Sequence, residues 1–412
     1  MQRSGADSRA AVLFLGGMAV STVGSALGAL ESTYIATDSD PAAGATRTAV
    51  MIVILLLAST ATVPFVSGQA LRWGSRRLYS VAVFGTGIIW SAAGLAILSG
   101  LPAYPILLLS APFMGVTVGM TTVLSPIFGR AYLSSQSMAG AYARLSVILG
   151  LSWGAGSLIG GQLFQHTPPG VGILTRGVLA IPLAVVLVAV RPPTAAPKPV
   201  AQRGGSLRAM TGHLRTPSPL RTVLALSCAV TIFVIPFLSL IMPIASALRQ
   251  VPLVSGAGLL MAGMAVGEVL SPLLVSRLQR HRSSLSGAVW AALACGGCLL
   301  TFAVTSYLTS GQPELLVWTT IGIAYGASRY AVKSLELDAA VNCDVDDTEA
   351  VATVSFAKTA VAPLGLLVWA TLIDHVSVEV ALLVGCVGIS VSALAVKKSV
   401  ARLSERGQSE VS

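Results

Sequence analysis

Charged side chains inside long apolar runs are the residues of this sequence best placed to do chemistry. They comprise two carboxylates and three bases: Glu31, Glu268, Arg144, Arg329 and Lys358. A charge at the centre of a bilayer costs about 2.5–3.5 kcal/mol on insertion scales, so such residues tend to mark ion pathways and binding sites. The carboxylates are suited to proton exchange, and the bases to ion pairing or anion binding.

The elements that must position these charges are membrane-spanning helices. Apolar residues make up 54% of the chain and charged residues 10%, which excludes a soluble domain. A backbone in lipid must satisfy its own hydrogen bonds, and alternating barrel strands are absent from the sequence, so the predicted class is an all-α membrane protein. Spans 1 to 12 are predicted at about residues 10–35, 48–70, 78–99, 104–129, 138–164, 171–190, 222–247, 253–276, 285–309, 314–334, 349–373 and 377–396.

A Pro-, Gly- and Arg-rich stretch separates spans 6 and 7 and divides the chain into two six-helix halves. Its sequence, "RPPTAAPKPVAQRGGSLRAMTGHLRTPSPLR", contains no acidic residue and is typical of a flexible linker. The predicted domains are residues 1–191, a linker at 192–220, a second half at 221–398 and a tail at 399–412. The fourth span of each half, spans 4 and 10, carries a similar stretch, "GVTVGMT" and "GIAYGAS". This similarity favours two pseudo-symmetric bundles built from repeats.

Basic residues are concentrated in alternate loops. One set of loops carries most of them, whereas the opposite set carries only Arg47, Arg176 and Arg249. The positive-inside rule therefore places both termini and the linker in the cytoplasm. The expected location of the protein is the inner, cytoplasmic membrane. Parity assigns the acidic segment "ELDAAVNCDVDDTE" to a cytoplasmic loop. The net charge of +10 suits lipid headgroups, and nucleic acid is not an expected partner.

The stretch "SGQALRWGSRR" between spans 2 and 3 resembles the signature of the major facilitator superfamily. Arg72, Gly74, Arg76 and Arg77 match the pattern, but Leu71 stands where the family has an aspartate. The resemblance implies a monomeric carrier that works by alternating access, with the three arginines in a cytoplasmic gate. The missing aspartate puts the family's latch in doubt, and the arginines alternatively fix orientation and contact phosphate headgroups.

Span 5 resembles the exporter signature of the same superfamily through Gly156, Gly160 and Gly161 in "GLSWGAGSLIGGQL". Together with Gly150 and Gly154, these glycines also let another helix approach closely, which any facilitator needs. The resemblance implies proton-coupled export of drugs or secondary metabolites. The alternatives are an uptake symporter for a nutrient or organic anion, and a receptor or scaffold that does not transport.

Enzymatic function is not expected. The sequence has no P-loop, no nucleophile constellation and no cluster of metal ligands, so no cofactor or metal is predicted. In span 4, Ala111 stands where many drug–proton antiporters carry an arginine, so any proton coupling must use other groups. The expected partners are a small-molecule substrate, protons and membrane lipids.

Each intramembrane charge has a predicted role and an alternative. Because the resemblance puts span 1 on the central cavity, Glu31 is the first proton-coupling and substrate-binding candidate; alternatively it reaches the outer interface. Arg144 and Glu268, at estimated depths of about 10 Å and about 13 Å, form a candidate gate, or each pairs locally. Glu268 is the second proton candidate. Arg329 and Lys358 bind an anionic substrate, or neutralise Glu268.

The basic bias of alternate loops predicts the topology. A reporter fused after Arg208 or at Ser412 should behave as cytoplasmic, and one fused after Asp40 or Gly311 as external. The measurement is the activity of reporters that function on only one side of the membrane. A cytoplasmic signal at Asp40 would contradict the twelve-span topology.

Overall fold

The computed structural model describes residues 5–133, 138–164, 166–192, 219–247, 253–308, 313–343 and 347–409, and these residues form helices joined by short turns. The predicted linker at 192–220 lies almost wholly outside them. The first half contains helices α1 to α6: Gly5–Asp38, Gly44–Trp73, Ser75–Leu98, Ala103–Leu133, Met138–Leu163 and Val171–Ala189. The second half contains α7 to α14: Pro219–Phe233, Ile235–Ser239, Ile241–Ala247, Leu253–His281, Ser284–Leu308, Pro313–Val341, Asp347–His375 and Val378–Ser409.

Span 7 is broken into three helices, α7 to α9, where the sequence predicts one span whose two prolines allow bends. Pro236 lies in the first turn of α8, and Pro243 lies inside α9. Proline has no backbone N–H to donate to the preceding turn, and its ring collides with the carbonyl four residues earlier. The chain therefore restarts its helix near each proline, and α9 contacts α1 and α2 of the first half.

Helix α12 is longer than predicted and includes the beginning of the acidic segment. Span 10 was expected to end near residue 334, but α12 continues to Val341. The added turns contain Leu, Glu and Ala, which are strong helix formers. Glu336 and Asp338 therefore lie on the extended helix and not in a connecting loop, and the cytoplasmic placement of the segment stays a prediction.

The all-helical membrane fold is confirmed. By length and composition, 10 helices among the described residues can cross a membrane. Helices α5 and α12 account for the remaining two of the predicted spans. The described apolar part of α5 is shorter, Val147–Leu163, and α12 carries Arg329, Lys333 and Glu336 in its second half.

The two halves pack as separate bundles that meet along two helix pairs. In the first half α1 packs against α5 and α6, α2 against α4, and α3 against α6. In the second half α12 packs against α10 and α11, and α14 against α11 and α7. The extensive contacts between halves are α5 with α10 and α2 with α13. The space between these two pairs is where cavities lie.

The two ends of the bundle differ in charge. We call "basic end" the end where α2 meets α3, with Arg72, Arg76 and Arg77, and where α10 ends, with Arg280 and His281. We call the opposite end, where α1 meets α2, the "far end". Near the basic end the first half packs an aromatic cluster in which the rings of Phe14 and Tyr132 stack 4.3 Å apart.

Two glycines bring the backbones of α10 and α12 into direct contact. A Cβ atom at Gly267 would collide with the carbonyl oxygen of Ile323, and one at Gly326 with the carbonyl oxygen of Met264. Close approach through small residues is a common way for helices to associate in a membrane, because van der Waals packing drives association there. This contact fixes the two helices that carry Glu268 and Arg329.

We therefore expect Gly267→Ala to destabilise the protein by about 1–3 kcal/mol, because the added methyl group meets backbone atoms that cannot move independently. Gly297→Ala on α11 is the matched control, since nothing lies within 4 Å of a Cβ atom there. Alanine should leave that site unchanged or stabilise it by up to about 1 kcal/mol through helix propensity. Thermal unfolding in detergent measures both, and equal midpoints would contradict the direct backbone contact.

Candidate functional site

Two cavities lie between the halves, one above the other along the bundle axis. The larger, about 510 Å³, lies nearer the basic end, and the smaller, about 220 Å³, nearer the far end. Three side chains line both cavities and so mark the junction between them: Trp153, Arg176 and Leu238. Residues from both halves line the cavities. A site whose access changes when the halves move relative to each other needs such a shared lining.

The larger cavity has a hydroxyl-rich wall on the first half and a charged wall on the second. Its hydroxyl groups come from α1, α3 and α4, and include Ser21, Thr22, Ser25, Thr86 and Thr121. The charges of the second half come from α10 and α12 and are Glu268, Arg329 and Lys333; Arg176 of α6 adds one charge from the first half. The hydroxyl of Thr22 donates to the carbonyl oxygen of Met18 over 2.7 Å, which leaves its own oxygen free to accept from a ligand.

Glu268 and Arg329 form an ion pair at the edge of this cavity. An Nη atom of Arg329 donates to Oε1 of Glu268. The side chain of Arg329 is 19% exposed, and that of Glu268 is 11% exposed. The pair lies close to α5, because a Cβ atom at Gly150 would lie 3.4 Å from Cβ of Glu268. This arrangement matches the sequence-based alternative in which Arg329 neutralises Glu268. The side chain of Arg144 lies outside the described residues, so the predicted Arg144–Glu268 gate stays a prediction.

Lys358 pairs with a glutamate that the sequence analysis missed. Its Nζ lies 2.6 Å from Oε2 of Glu336, whose side chain is 1% exposed. Neither residue is among the described residues that line the two cavities, so Lys358 as a substrate ligand stays a prediction without support from the cavity geometry. A signal was present: Arg329, Lys333 and Glu336 are spaced four and three residues apart and therefore share one helix face.

Glu31 caps the N-terminus of α6. Its Oε1 accepts the backbone N–H of Gly170 over 2.8 Å, and its Oε2 that of Ile173 over 2.6 Å. The residue is 2% exposed, so it does not reach the outer interface as one sequence-based alternative required. The unpaired N–H groups and the dipole of a helix N-terminus stabilise a negative charge. A coupling role for Glu31 stays a prediction, and its geometry is that of a charged cap.

Arg176 was assigned to an external loop, and the structure corrects this. It lies in α6, about 7.5 Å from the first residue of that helix at the usual rise per residue. Its guanidinium stacks over the ring of Trp90, 3.8 Å from the ring centroid. The sequence analysis missed it because it lies near the start of span 6, where a basic residue is ordinarily an interfacial one.

A carboxylate joins the two halves at the far end. Asp374 of α13 accepts the backbone N–H groups of Ala45 and Thr46, over 3.1 Å and 2.8 Å, at the start of α2. The contact again places a negative charge at a helix N-terminus. Because α2 and α13 belong to different halves, the contact holds the far end together in this conformation.

The basic cluster after α2 includes one arginine with a contact inside its own half. Arg76 donates to the carbonyl oxygens of Leu187 and Val188 at the end of α6, over 2.6 Å each. Arg72 and Arg77 are exposed, and Gly74 adopts a φ of 82°, which favours glycine at this turn. A gating role for the three arginines stays a prediction.

The glycines of the exporter-like pattern lie where α5 contacts its neighbours. Cβ atoms at Gly156 and Gly160 would meet α1, the first lying 2.6 Å from the carbonyl oxygen of Val23. Gly154 faces Ala265 of α10, and Gly161 lies beside Gly258 of the same helix. Helix α5 is thus packed closely on both sides, at the interface between the halves.

These features define a class: a multi-pass helical membrane protein whose two halves enclose a central cavity. The chain belongs to the Major Facilitator Superfamily, whose family pattern matches residues 10–341. No curated protein sequence matches it.

Several solved structures share its fold. A variant of the nucleoside transporter NupG is 13% identical, with a TM-score of 0.68, and the match covers 94% of this chain and 98% of that one. The human organic anion transporter MFSD10 (TETRAN) is 13% identical, with a TM-score of 0.66 and coverages of 95% and 100%. The E. coli fucose:proton symporter FucP is 13% identical, with a TM-score of 0.63 and coverages of 96% and 99%. At this identity the likeness shows the fold alone.

The capping contact of Glu31 predicts a loss of stability when its charge is removed. In Glu31→Gln one oxygen acceptor becomes an NH2 donor facing a backbone N–H, so we expect a loss of about 1–3 kcal/mol. Thermal unfolding in detergent measures it. Asp38→Asn, an exposed carboxylate at the end of the same helix, is the control and should leave the midpoint unchanged. Equal midpoints for wild type and Glu31→Gln would show that the cap contributes little.

Proposed function

We propose that this protein is a secondary active transporter that exports a small organic molecule across the cytoplasmic membrane in exchange for protons. The observation that carries the proposal is the cavity between the two halves, together with the contact of Asp374 with α2 that joins the halves at the far end. A carrier that works by alternating access needs a central site and an end that closes.

The conformation described here corresponds to the inward-facing state in this proposal. The larger cavity lies nearer the basic end, and the predicted topology puts that end in the cytoplasm. To face outward, the protein must break the contact of Asp374 with Ala45 and Thr46 and close the space between α4 and α10 at the basic end. The halves then move largely as rigid bodies about the paired helices α5 and α10.

We assign proton coupling first to Glu268. Its ion pair with Arg329 lies at the cavity, where protons and substrate have access. Protonation removes the negative charge and leaves Arg329 without its partner, so protonation and the arrangement of α10 and α12 are energetically linked. Glu31 is the second candidate, because its carboxylate is already held by two backbone N–H groups away from the two cavities.

The direction of transport rests on the glycines of α5, whose pattern resembles that of exporters. Uptake by symport is the second candidate, since one structural neighbour is named a fucose:proton symporter and another a nucleoside transporter. A scaffold without transport is disfavoured, because such a protein has no evident need for an ion pair at a cavity.

The test is transport in proteoliposomes with an imposed pH gradient, using a panel of small organic compounds and an internal pH dye. We expect wild type to move protons in response to at least one compound and to move that compound in the opposite direction. Glu268→Gln should abolish gradient-driven accumulation but keep substrate exchange, because the side chain retains its size and loses its titratable charge.

Glu379→Gln is the matched control, an identical substitution in the first turn of α14, and should transport normally. Accumulation by Glu268→Gln at the wild-type level would move the coupling role to Glu31. Movement of protons and compound in the same direction would support the symporter instead. No proton movement with any compound, in wild type, would contradict coupled transport.

A further inference from the structure

We propose that the substrate is an amphipathic organic anion whose carboxylate binds Arg176 at the junction of the two cavities. The inference rests on the proposed transport function and deepens it by naming a substrate class. It is carried by the setting of Arg176, by the charges that line the cavities, and by the apolar walls around the junction.

The aliphatic part of the Arg176 side chain packs against α1 at two glycines. A Cβ atom at Gly28 would lie 2.8 Å from Cβ of Arg176 and still closer to its Cδ, and one at Gly24 would lie 3.2 Å from its Cα. These two glycines of α1 therefore allow the arginine side chain to lie across that helix. The position of the guanidinium is held by α1 on one side and by the ring of Trp90 on the other.

No carboxylate among the described residues forms a salt bridge with the guanidinium of Arg176. Its stacking on Trp90 uses the face of the group, whereas its five N–H donors lie in the plane. Its buried Nε has no hydrogen-bond partner within the described part of the chain. Burying a donor without a partner is unfavourable, and a carboxylate offers two acceptors in the geometry that a guanidinium fits.

The cavity walls favour an anion as the missing partner. Among the described residues that line the two cavities, Arg176, Arg329 and Lys333 are cationic, and Glu268 is the one carboxylate. Glu268 is already paired with Arg329. The guanidinium of Arg176 therefore contributes a positive charge that Glu268 does not neutralise, and such a charge attracts anions and repels cations.

The part of the ligand that enters the smaller cavity meets mostly apolar walls. Around Arg176 the junction and the smaller cavity are lined by Trp153, Leu238, Met261 and Leu55. Apolar walls with a few placed polar groups are the usual composition of small-molecule sites. The smaller cavity, about 220 Å³, suits the ring of a small aryl acid, with the carboxylate at the junction.

The first measurement needs no variant. Purified protein in detergent is titrated with three ligands that share one body: phenylacetate, phenylacetamide and 2-phenylethylamine, which are anionic, neutral and cationic at pH 7. We expect phenylacetate to bind at least about tenfold more tightly than the amide, the difference typical of a hydrogen-bonded charge pair. The amine should bind more weakly than both. Equal affinities, tighter binding of the amine or no binding of phenylacetate would overturn the proposal.

The second measurement places the site. Arg176→Gln should remove the preference for the acid over the amide, and Arg176→Lys should keep part of it, because lysine keeps the charge but not the fork. Gly28→Ala should weaken acid binding without altering any charge, since its methyl group displaces the arginine stem. The matched control is Arg47→Gln, another arginine over an aromatic ring, Tyr104, but at the far end and outside both cavities.

The outcomes also separate this inference from the proposed function. Unchanged acid preference in folded Arg176→Gln would overturn the arginine site, whatever the transport assay shows. If protons are coupled only to the movement of neutral or cationic compounds, the proposed transport function is supported and the proposed anionic substrate is contradicted. Acid binding that depends on Arg176, without coupled transport, would support the site and contradict the function.

Discussion

The structure depends on one constraint: a negative charge buried in a membrane bundle must have a positive partner in place. Four carboxylates meet it in two ways. Glu268 and Glu336 each bind a cationic side chain, Arg329 and Lys358. Glu31 and Asp374 instead bind the N–H groups at a helix N-terminus. Leaving any of these charges unpaired would cost about 3–5 kcal/mol, which is a large part of a protein's total stability.

The two kinds of partner have different consequences for motion. The ion pairs of α10 with α12 and of α12 with α13 lie inside the second half, and the Glu31 cap lies inside the first. They make each half rigid. Of the carboxylate contacts described, the one made by Asp374 joins the halves. A contact to backbone N–H groups is exposed to replacement by water once the helices part, so it is suited to being broken and remade.

The sequence was sufficient to predict an all-helical membrane protein and the approximate positions of its spans, because hydropathy is a local property. It identified Glu268 and Arg329 inside spans but missed Glu336 and assigned Arg176 to a loop. It was not sufficient to predict partners. Glu31 is bound by residues 139 and 142 positions later in the chain, which only the tertiary fold brings near. Glu336 was missed because an acidic segment after a span resembles a loop. The prolines of span 7 indicated that the span could bend, but not that its helix is interrupted, because prolines are tolerated in spans that do not break.

Arg176 is a positive charge, to which this constraint does not apply, and no carboxylate among the described residues forms a salt bridge with it; this gives the cavity a way to link binding to motion. Closing the cavity removes water from the guanidinium of Arg176, whose buried Nε has no hydrogen-bond partner among the described residues. An anion bound at Arg176 supplies the missing partner and lowers the free energy of closing. A ligand shifts a conformational equilibrium only by its differential affinity for the two states. On this proposal the difference in affinity between the open and closed states comes from dehydration. The closed cavity binds the anion more strongly, because fewer water molecules compete for the guanidinium.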